Sequence, residues 1–395
     1  MRSFDAVVIG GGVIGCSIAM HLAERGVKRV ALLERSSLCA GNTRKSGGLI
    51  RMHYSNEPET RLALASLPYF QDWQERIGGD CGFVQTGFAM IVGPNNAERL
   101  RRRIARLRSW GVDTTAVDPA ELSQLQPGVD LAGIAAAAYE PGSGYADPLA
   151  TTLALADRAR GLGVAVLEET PVLSIETAGD RVSGVRTVDE SIAADIVVCA
   201  ANTWSGSLLA PLGIALPIHA RRAQVAFYQR PAALTRQLVL IDLVIGTYTR
   251  PEGATETLGG ISAEAHVAPC DPDAHREEMD EGFAQATRAR LAMRLPAIGR
   301  AAISRGQAGM YDMSPDTRAV IDRVQAVPGL YVAAGFSGTG FKKAPAVGAR
   351  LAELITCGTA TTADLDPFRL DRFALGERFA SEDEYVLPGD WGHAF

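Results

Sequence analysis

Residues able to do chemistry gather in three places along this chain. The first is Gly10, Gly12 and Gly15, spaced G-x-G-x-x-G, where an apolar run from Phe4 to Ile9 gives way to the helical spacing of Ile14, Ile18, His21 and Leu22. A strand turning into a helix through glycines lets backbone approach a pyrophosphate and leaves the first helical amides pointing at it. A second apolar run, Val30 to Leu33, ends at Glu34, about 20 residues after the last glycine, where a carboxylate accepts hydrogen bonds from a ribose diol. Together these parts predict a dinucleotide site and leave FAD and a nicotinamide both open. The second place is Cys39 to Tyr54, small and basic, able to wrap a diphosphate and lead a guanidinium toward a bound ring. The third is a strand from Gly329 feeding a loop with Gly335, Gly338 and Gly340, before an Ala-rich helix that starts around Pro345. Unpaired amides of such a loop cradle an anion or a carbonyl.

These loops need a sizeable scaffold, and 395 residues supply one, about two or three domains at roughly 150 residues each. Apolar residues at 47% and charged residues at 21% exclude a disordered or collagen-like chain. A net charge of −6 without a basic stripe argues against nucleic acid as a partner. No run of 18 apolar residues and no signal-peptide pattern is present, so neither a membrane span nor export is expected. Cys16, Cys39, Cys81, Cys199, Cys270 and Cys357 lack C-x-x-C spacing, and the histidines lack metal-site spacing. Reduced thiols in a cytoplasmic protein without a metal are the expectation. Of 39 basic residues only Lys28, Lys45, Lys342 and Lys343 are lysines, so lysine-dependent chemistry has few candidates.

Three segments carry a family resemblance: Ile50-Arg51-Met52-His53-Tyr54, the small-residue run ending Ala200-Ala201-Asn202-Thr203-Trp204, and Gly335-Phe-Ser-Gly338-Thr339-Gly340-Phe341-Lys342. With the N-terminal glycines they resemble the sarcosine oxidase and glycine oxidase-like group of the D-amino-acid oxidase superfamily of FAD enzymes. The resemblance implies an α/β fold, a Rossmann-like FAD-binding domain of glutathione-reductase type interleaved with an antiparallel-sheet substrate domain. The first is assigned to residues 1–80, 146–215 and 306–375, the second to 81–145 and 216–305, and residues 376–395 are a tail. Expected cofactor contacts, from the glycine spacing and the resemblance, are Gly10, Gly12, Val13, Ile14 and Gly15, then Glu34, Arg35, Thr43, Arg44, Ser46, Gly47 and Gly48. Val172, Ala201 and Trp204 follow, then Gly335, Gly338, Thr339, Gly340, Phe341 and Lys342.

By the same resemblance Arg51 and Lys342 hold a substrate carboxylate, a bidentate fork beside a point charge. Tyr248, in Gly246-Thr-Tyr248, lines the substrate cavity. The implied reaction oxidises a C–N bond of a small amino acid or a secondary or N-methyl amine bearing a carboxylate, with hydride passing to flavin N5, an imine product, and O2 reduced to H2O2. An amine dehydrogenase with another acceptor, and an FAD-holding subunit of a larger complex, are the alternatives; the oligomeric state is left open. Several positions depart from the family pattern. Thr339 stands where the family has histidine, so no general base is assigned, and Asn202 replaces a glycine. Gly309 precedes Met310-Tyr311 where monomeric sarcosine oxidases carry the tethering cysteine, and no histidine lies between Asn42 and Gly48, so FAD is expected to be non-covalent. Thr257 to Ile261 contains no lysine for oxygen activation, which leaves that task to Lys45 or Lys343. His53 and Asp147 are read as structural, the latter as a helix cap ahead of Pro148.

Overall fold

In the computed structural model, residues 2–262, 267–360, 365–377, 379 and 383–387 are described. The strand Arg2–Ile9 lies inside an eight-stranded sheet, parallel to Val30–Leu33 on one side and to Ser191–Cys199 on the other. Ala165–Leu167 and Leu330–Ala334 extend the parallel set outward, and Val320–Arg323 adds an antiparallel strand beside Leu330–Ala334. Successive residues of the first strand serve opposite layers. Ala6 and Val8 pack with the helices Val13–Glu24, Pro148–Gly161 and Ala344–Cys357, while Val7 and Ile9 pack toward the antiparallel strands Val172–Ala178 and Arg181–Thr187. Burial on both faces explains why these strands read as continuous apolar runs.

The turn after Ile9 requires glycine. Gly10 has φ +109°, and a Cβ on it would stand 2.5 Å from the Ala200 carbonyl oxygen; a Cβ on Gly15 would stand 1.9 Å from the Gly10 oxygen. Helix Pro148–Gly161 starts where expected, with Asp147 accepting from the amides of Leu149 and Ala150.

The second sheet has nine strands among the described residues, built from Phe88–Val92, Thr115–Val117, Ala136–Glu140 and the strands between His219 and Met313. Its pairings are antiparallel apart from Phe88–Val92 with Val239–Asp242. The boundary expected between residues 305 and 306 falls inside one strand, Ile303–Met313, which pairs along His219–Gln229 from Tyr228↔Ile303 to His219↔Met313. Its ladder partner lies some eighty residues earlier in the chain, so no local turn signal marks the strand, and its far end delivers Met310, Tyr311 and Asp312 to the cofactor side. Within the expected tail, Val386 exchanges two hydrogen bonds with the Asn96 side chain (2.9 and 2.8 Å), and Arg103 stacks 4.0 Å over the Tyr385 ring.

A buried ion cluster joins the helix Glu57–Gln71 to the C-terminal glycine loop. Glu59, wholly buried, meets Lys343 Nζ at 2.5 Å and Arg318 Nε at 3.1 Å. Burial alone would push the Glu59 carboxyl up, but Lys343 and Arg318 bring it down to about 2. Removing one member of such a cluster strands the others without solvation. Glu59→Gln is therefore expected to cost about 3–5 kcal/mol, read as a lower urea midpoint. Because the unfolded carboxyl titrates at about 4.3, the wild type should lose this stabilisation as pH falls from there through about 2. The variant should lack that limb of the acid profile.

Candidate active site

Two cavities meet beneath the glycine turns. The wider, of about 700 Å³, is walled by Gly10, Gly12, Glu34, Arg35, Val172, Ala201 and Trp204. The second is walled by Val13, Ser46, Gly47, Gly48, Arg51, Tyr248, Gly338, Thr339, Gly340, Phe341 and Lys342. They share Ile14, Asn42, Thr43, Lys45, Asn202, Met310, Asp312 and Phe336, so they form one channel running from Glu34 to Lys342.

The wider part fits a dinucleotide on its own geometry. The N-cap of the helix Val13–Glu24 is Gly12, which has no side chain to cover the leading amides, and Gly12, Val13 and Ile14 all border the channel. Thr43 Oγ1 accepts from the Val13 amide at 3.3 Å and closes the turn from the opposite side. Glu34 accepts from the amides of Gly11 (2.7 Å) and Ser36 (3.0 Å), which fixes its carboxylate at the channel wall.

At the other end stand two cations without a carboxylate. Arg51 is 3% and Lys342 6% exposed. The Arg51 guanidinium donates to the His53 carbonyl and lies 4.7 Å over the Tyr54 ring, with Lys342 Nζ at 6.0 Å and Lys343 Nζ at 5.0 Å from the same ring. Among the described residues neither Arg51 nor Lys342 makes an ion pair. Burial, then repulsion from Arg51 and Lys343, holds the Lys342 ammonium well below the usual lysine range, with the Glu59 charge opposing. Glu140 lies nearby, accepting from the Met52 amide (3.0 Å) and the Ser143 hydroxyl (2.7 Å), but burial pushes its carboxyl up to about 7. Two uncompensated cations facing one cavity attract an anion.

Tyr248 sits across the same cavity because the strands Thr247–Glu252 and Glu256–Ile261 pair it with Gly260, where a Cβ would stand 2.2 Å from its ring. Its hydroxyl is hydrogen-bonded to that of Tyr311, and burial, followed by Tyr311, pushes its titration well above the usual phenol range.

Some expected contacts are not brought to the channel wall. Arg44 is exposed and lines neither cavity: it belongs to the single 3-10 turn Thr43–Lys45, whose three side chains point about 120° apart. Gly15 packs behind the wall. Gly335 does too, and its amide is taken by the Asp312 carboxylate at 2.7 Å, so the loop's opening amide is not free for a ligand. Burial pushes the Asp312 carboxyl up to about 6 against the pull of the Phe336, Gly335 and Ser337 amides. Lys45 does reach the wall, but its ammonium is paired with Glu277; Lys343 lies behind the wall, paired with Glu59. His53 faces away, its Nε2 2.8 Å from the Tyr385 hydroxyl.

Other wall residues were not foreseen. Asn42 donates to the Asn202 side chain at 2.7 Å and accepts from the Met310 amide at 2.8 Å, tying three segments together. Asn202 adopts φ +51°, the left-handed conformation asparagine tolerates best after glycine. The substitution of glycine by asparagine at that position was the only signal in the sequence.

A glycine turn opening on a channel, with a cation pair at its far end, fits a dinucleotide-dependent enzyme. The chain belongs to the FAD-dependent oxidoreductase (DAO) family, whose profile matches residues 5–354, and its cofactor is FAD. It is similar in structure to L-proline dehydrogenase from P. horikoshii, with TM-score 0.88 and 30% identity, covering 96% of this chain and 100% of that one. Glycine oxidase from Geobacillus kaustophilus aligns with TM-score 0.83 and 25% identity over 94% of this chain and 99% of that one. Mitochondrial dimethylglycine dehydrogenase of Rattus norvegicus is 29% identical over 93% of this chain, which spans only 45% of that relative's length. Among the described residues no helix is long and apolar enough to cross a membrane, and no cluster of three His, Cys, Asp or Glu could hold a metal.

Gly10→Ala places a methyl against the Ala200 carbonyl at a backbone angle alanine avoids. The purified variant is expected to carry about one tenth or less of the wild-type flavin absorbance per protein, with an unchanged far-UV circular dichroism spectrum.

Proposed function

We propose that this chain oxidises the C–N bond of a small amine bearing a carboxylate, an amino acid or N-methyl amino acid, and hands the electrons to an acceptor other than oxygen. The observation that carries the reading is the unpaired Arg51–Lys342 couple in the cavity. Arg51 offers a planar fork and Lys342 a point charge, and together they fix a carboxylate and with it the orientation of the adjoining C–H. FAD, when bound, supplies the two-electron acceptor. The amine must lose its proton before it can be oxidised. Two neighbouring cations lower an ammonium's pKa, so the pair that binds the carboxylate also favours the neutral amine. That supports a site working without the histidine that Thr339 replaces. The paired hydroxyls of Tyr248 and Tyr311 stay neutral and bound the substrate on the opposite side.

The acceptor follows from the lysines. Stabilising the reduction of oxygen calls for a cation not already engaged; Arg51 and Lys342 are taken by the substrate carboxylate in this reading, and Lys45 and Lys343 are each committed to a carboxylate of the chain. This favours a dehydrogenase over the oxidase first expected, in keeping with two of the relatives, which are named as dehydrogenases. Non-covalent FAD is supported by Gly309 at the cavity wall and by a wall that, in the Arg51 and Lys342 cavity, holds neither cysteine nor histidine among the described residues. The unpaired thiols, four of them buried, suit the reducing cytoplasm.

Anaerobic addition of N-methyl, cyclic and D-amino acids should bleach the flavin with at least one of them; bleaching by none counts against the reading. With the active compound, Arg51→Ala should raise KM about 10- to 100-fold, whereas a subunit that merely holds FAD would not respond. Turnover with an artificial dye should exceed turnover with oxygen by about tenfold or more. Acid precipitation should leave the yellow colour in the supernatant.

A further inference from the structure

The segment 271–280 lies between two strands of the second sheet, Ala268–Pro269 and Ile303–Met313, yet its side chains reach the cofactor domain. Its base is fixed: Asp280 accepts from Arg222 Nη1 (2.8 Å) and Gln224 Nε2 (2.7 Å), and the Asp280 amide donates to Gln224 Oε1 (2.7 Å). Its tip crosses over. Asp273 accepts from Trp204 Nε1 at 2.7 Å and faces Arg35 Nη1 at 3.4 Å, while the Arg35 guanidinium stacks 3.8 Å over the Trp204 ring. Midway, Glu277 is paired with Lys45. Arg35, Lys45 and Trp204 wall the wider cavity, and so do His275 and Glu277.

His275 gives the segment a ligand-facing atom. Its side chain is 10% exposed and its Nδ1 lies 3.1 Å from the Pro272 carbonyl oxygen, which can only accept, so Nδ1 carries the proton. In the neutral imidazole Nε2 is then the acceptor, buried and without a hydrogen-bond partner, with the Glu277 carboxylate 4.0 Å away. A buried acceptor facing a cavity is complementary to a donor that enters it.

We propose that this segment is a clasp over the dinucleotide channel and that His275 Nε2 accepts a hydrogen bond from a hydroxyl or amino group of FAD. The proposal rests on FAD occupying the channel. The cofactor leaves only when the Asp273 and Glu277 links release. Because Asp273 and Glu277 are 70% and 58% exposed, salt weakens both links. Lys45 is then an anchor of the clasp, which accounts for a scarce lysine at the wall that is not free to act on oxygen.

The test is FAD dissociation from the holoenzyme, followed by recovery of flavin fluorescence after dilution, together with titration of the apoprotein with FAD. Asp273→Ala and Glu277→Gln should each speed release about threefold to tenfold and flatten its acceleration by salt. His275→Ala should weaken FAD binding about fivefold to tenfold, and His275→Gln, which keeps an acceptor, should recover most of it. The urea midpoint of each apoprotein should match the wild type. Equal release rates in the wild type and the two acidic variants overturn the clasp, and a glutamine variant no better than the alanine variant overturns the contact. Wild-type apoprotein that takes up no FAD defeats the cofactor reading itself. Flavin retained through acid denaturation overturns the clasp together with non-covalent attachment, since a tethered cofactor needs no clasp, and leaves FAD as the cofactor.

Discussion

Two buried cations facing one cavity constrain everything around them. An ammonium and a guanidinium removed from water are costly unless a negative charge answers them. Glu59 answers Lys343 and Arg318, and Tyr54 turns its ring toward three of the cations at once. Arg51 and Lys342 remain unanswered among the described residues. The loops that carry them are tied down by the core, so the pair cannot relax apart, and the positive potential is kept for a ligand that brings its own charge.

The two sheets divide the work. The parallel sheet ends in glycine turns at Gly10 and Gly335, and its helices begin beside the channel. The second sheet contributes walls from far along the chain: Tyr248 through its pairing with Gly260, and Met310 to Asp312 through the strand that reaches across from it. Asn42 and Asn202 pin the basic loop to that strand and to the end of Ser191–Cys199. One channel therefore depends on both sheets being in register.

Much of this was legible in the sequence because it is local. The G-x-G-x-x-G turn, Glu34 at the end of the second strand and the Asp147 cap each depend on residues close along the chain, and Arg51, Tyr248 and Lys342 do line one cavity. What was hidden is contact between distant residues. Glu59 and Lys343 are separated by 284 positions, Asn42 and Asn202 by 160, and Trp204 and Asp273 by 69. No period or motif announces such pairs. Arg44 and Lys45 show the same limit within one turn, where adjacent basic residues have different surroundings because 3-10 geometry turns them apart.

The claim that the Arg51–Lys342 pair is a carboxylate site is tested most directly by binding an unreactive carboxylate. Acetate titrated into the oxidised holoenzyme should perturb the flavin spectrum, with a Kd that rises with pH as Lys342 loses its proton below the usual lysine range. In Lys342→Met that pH dependence should disappear and acetate should bind more weakly. Acetate that leaves the spectrum unchanged, or binds the wild type and Lys342→Met alike at every pH, would contradict the account.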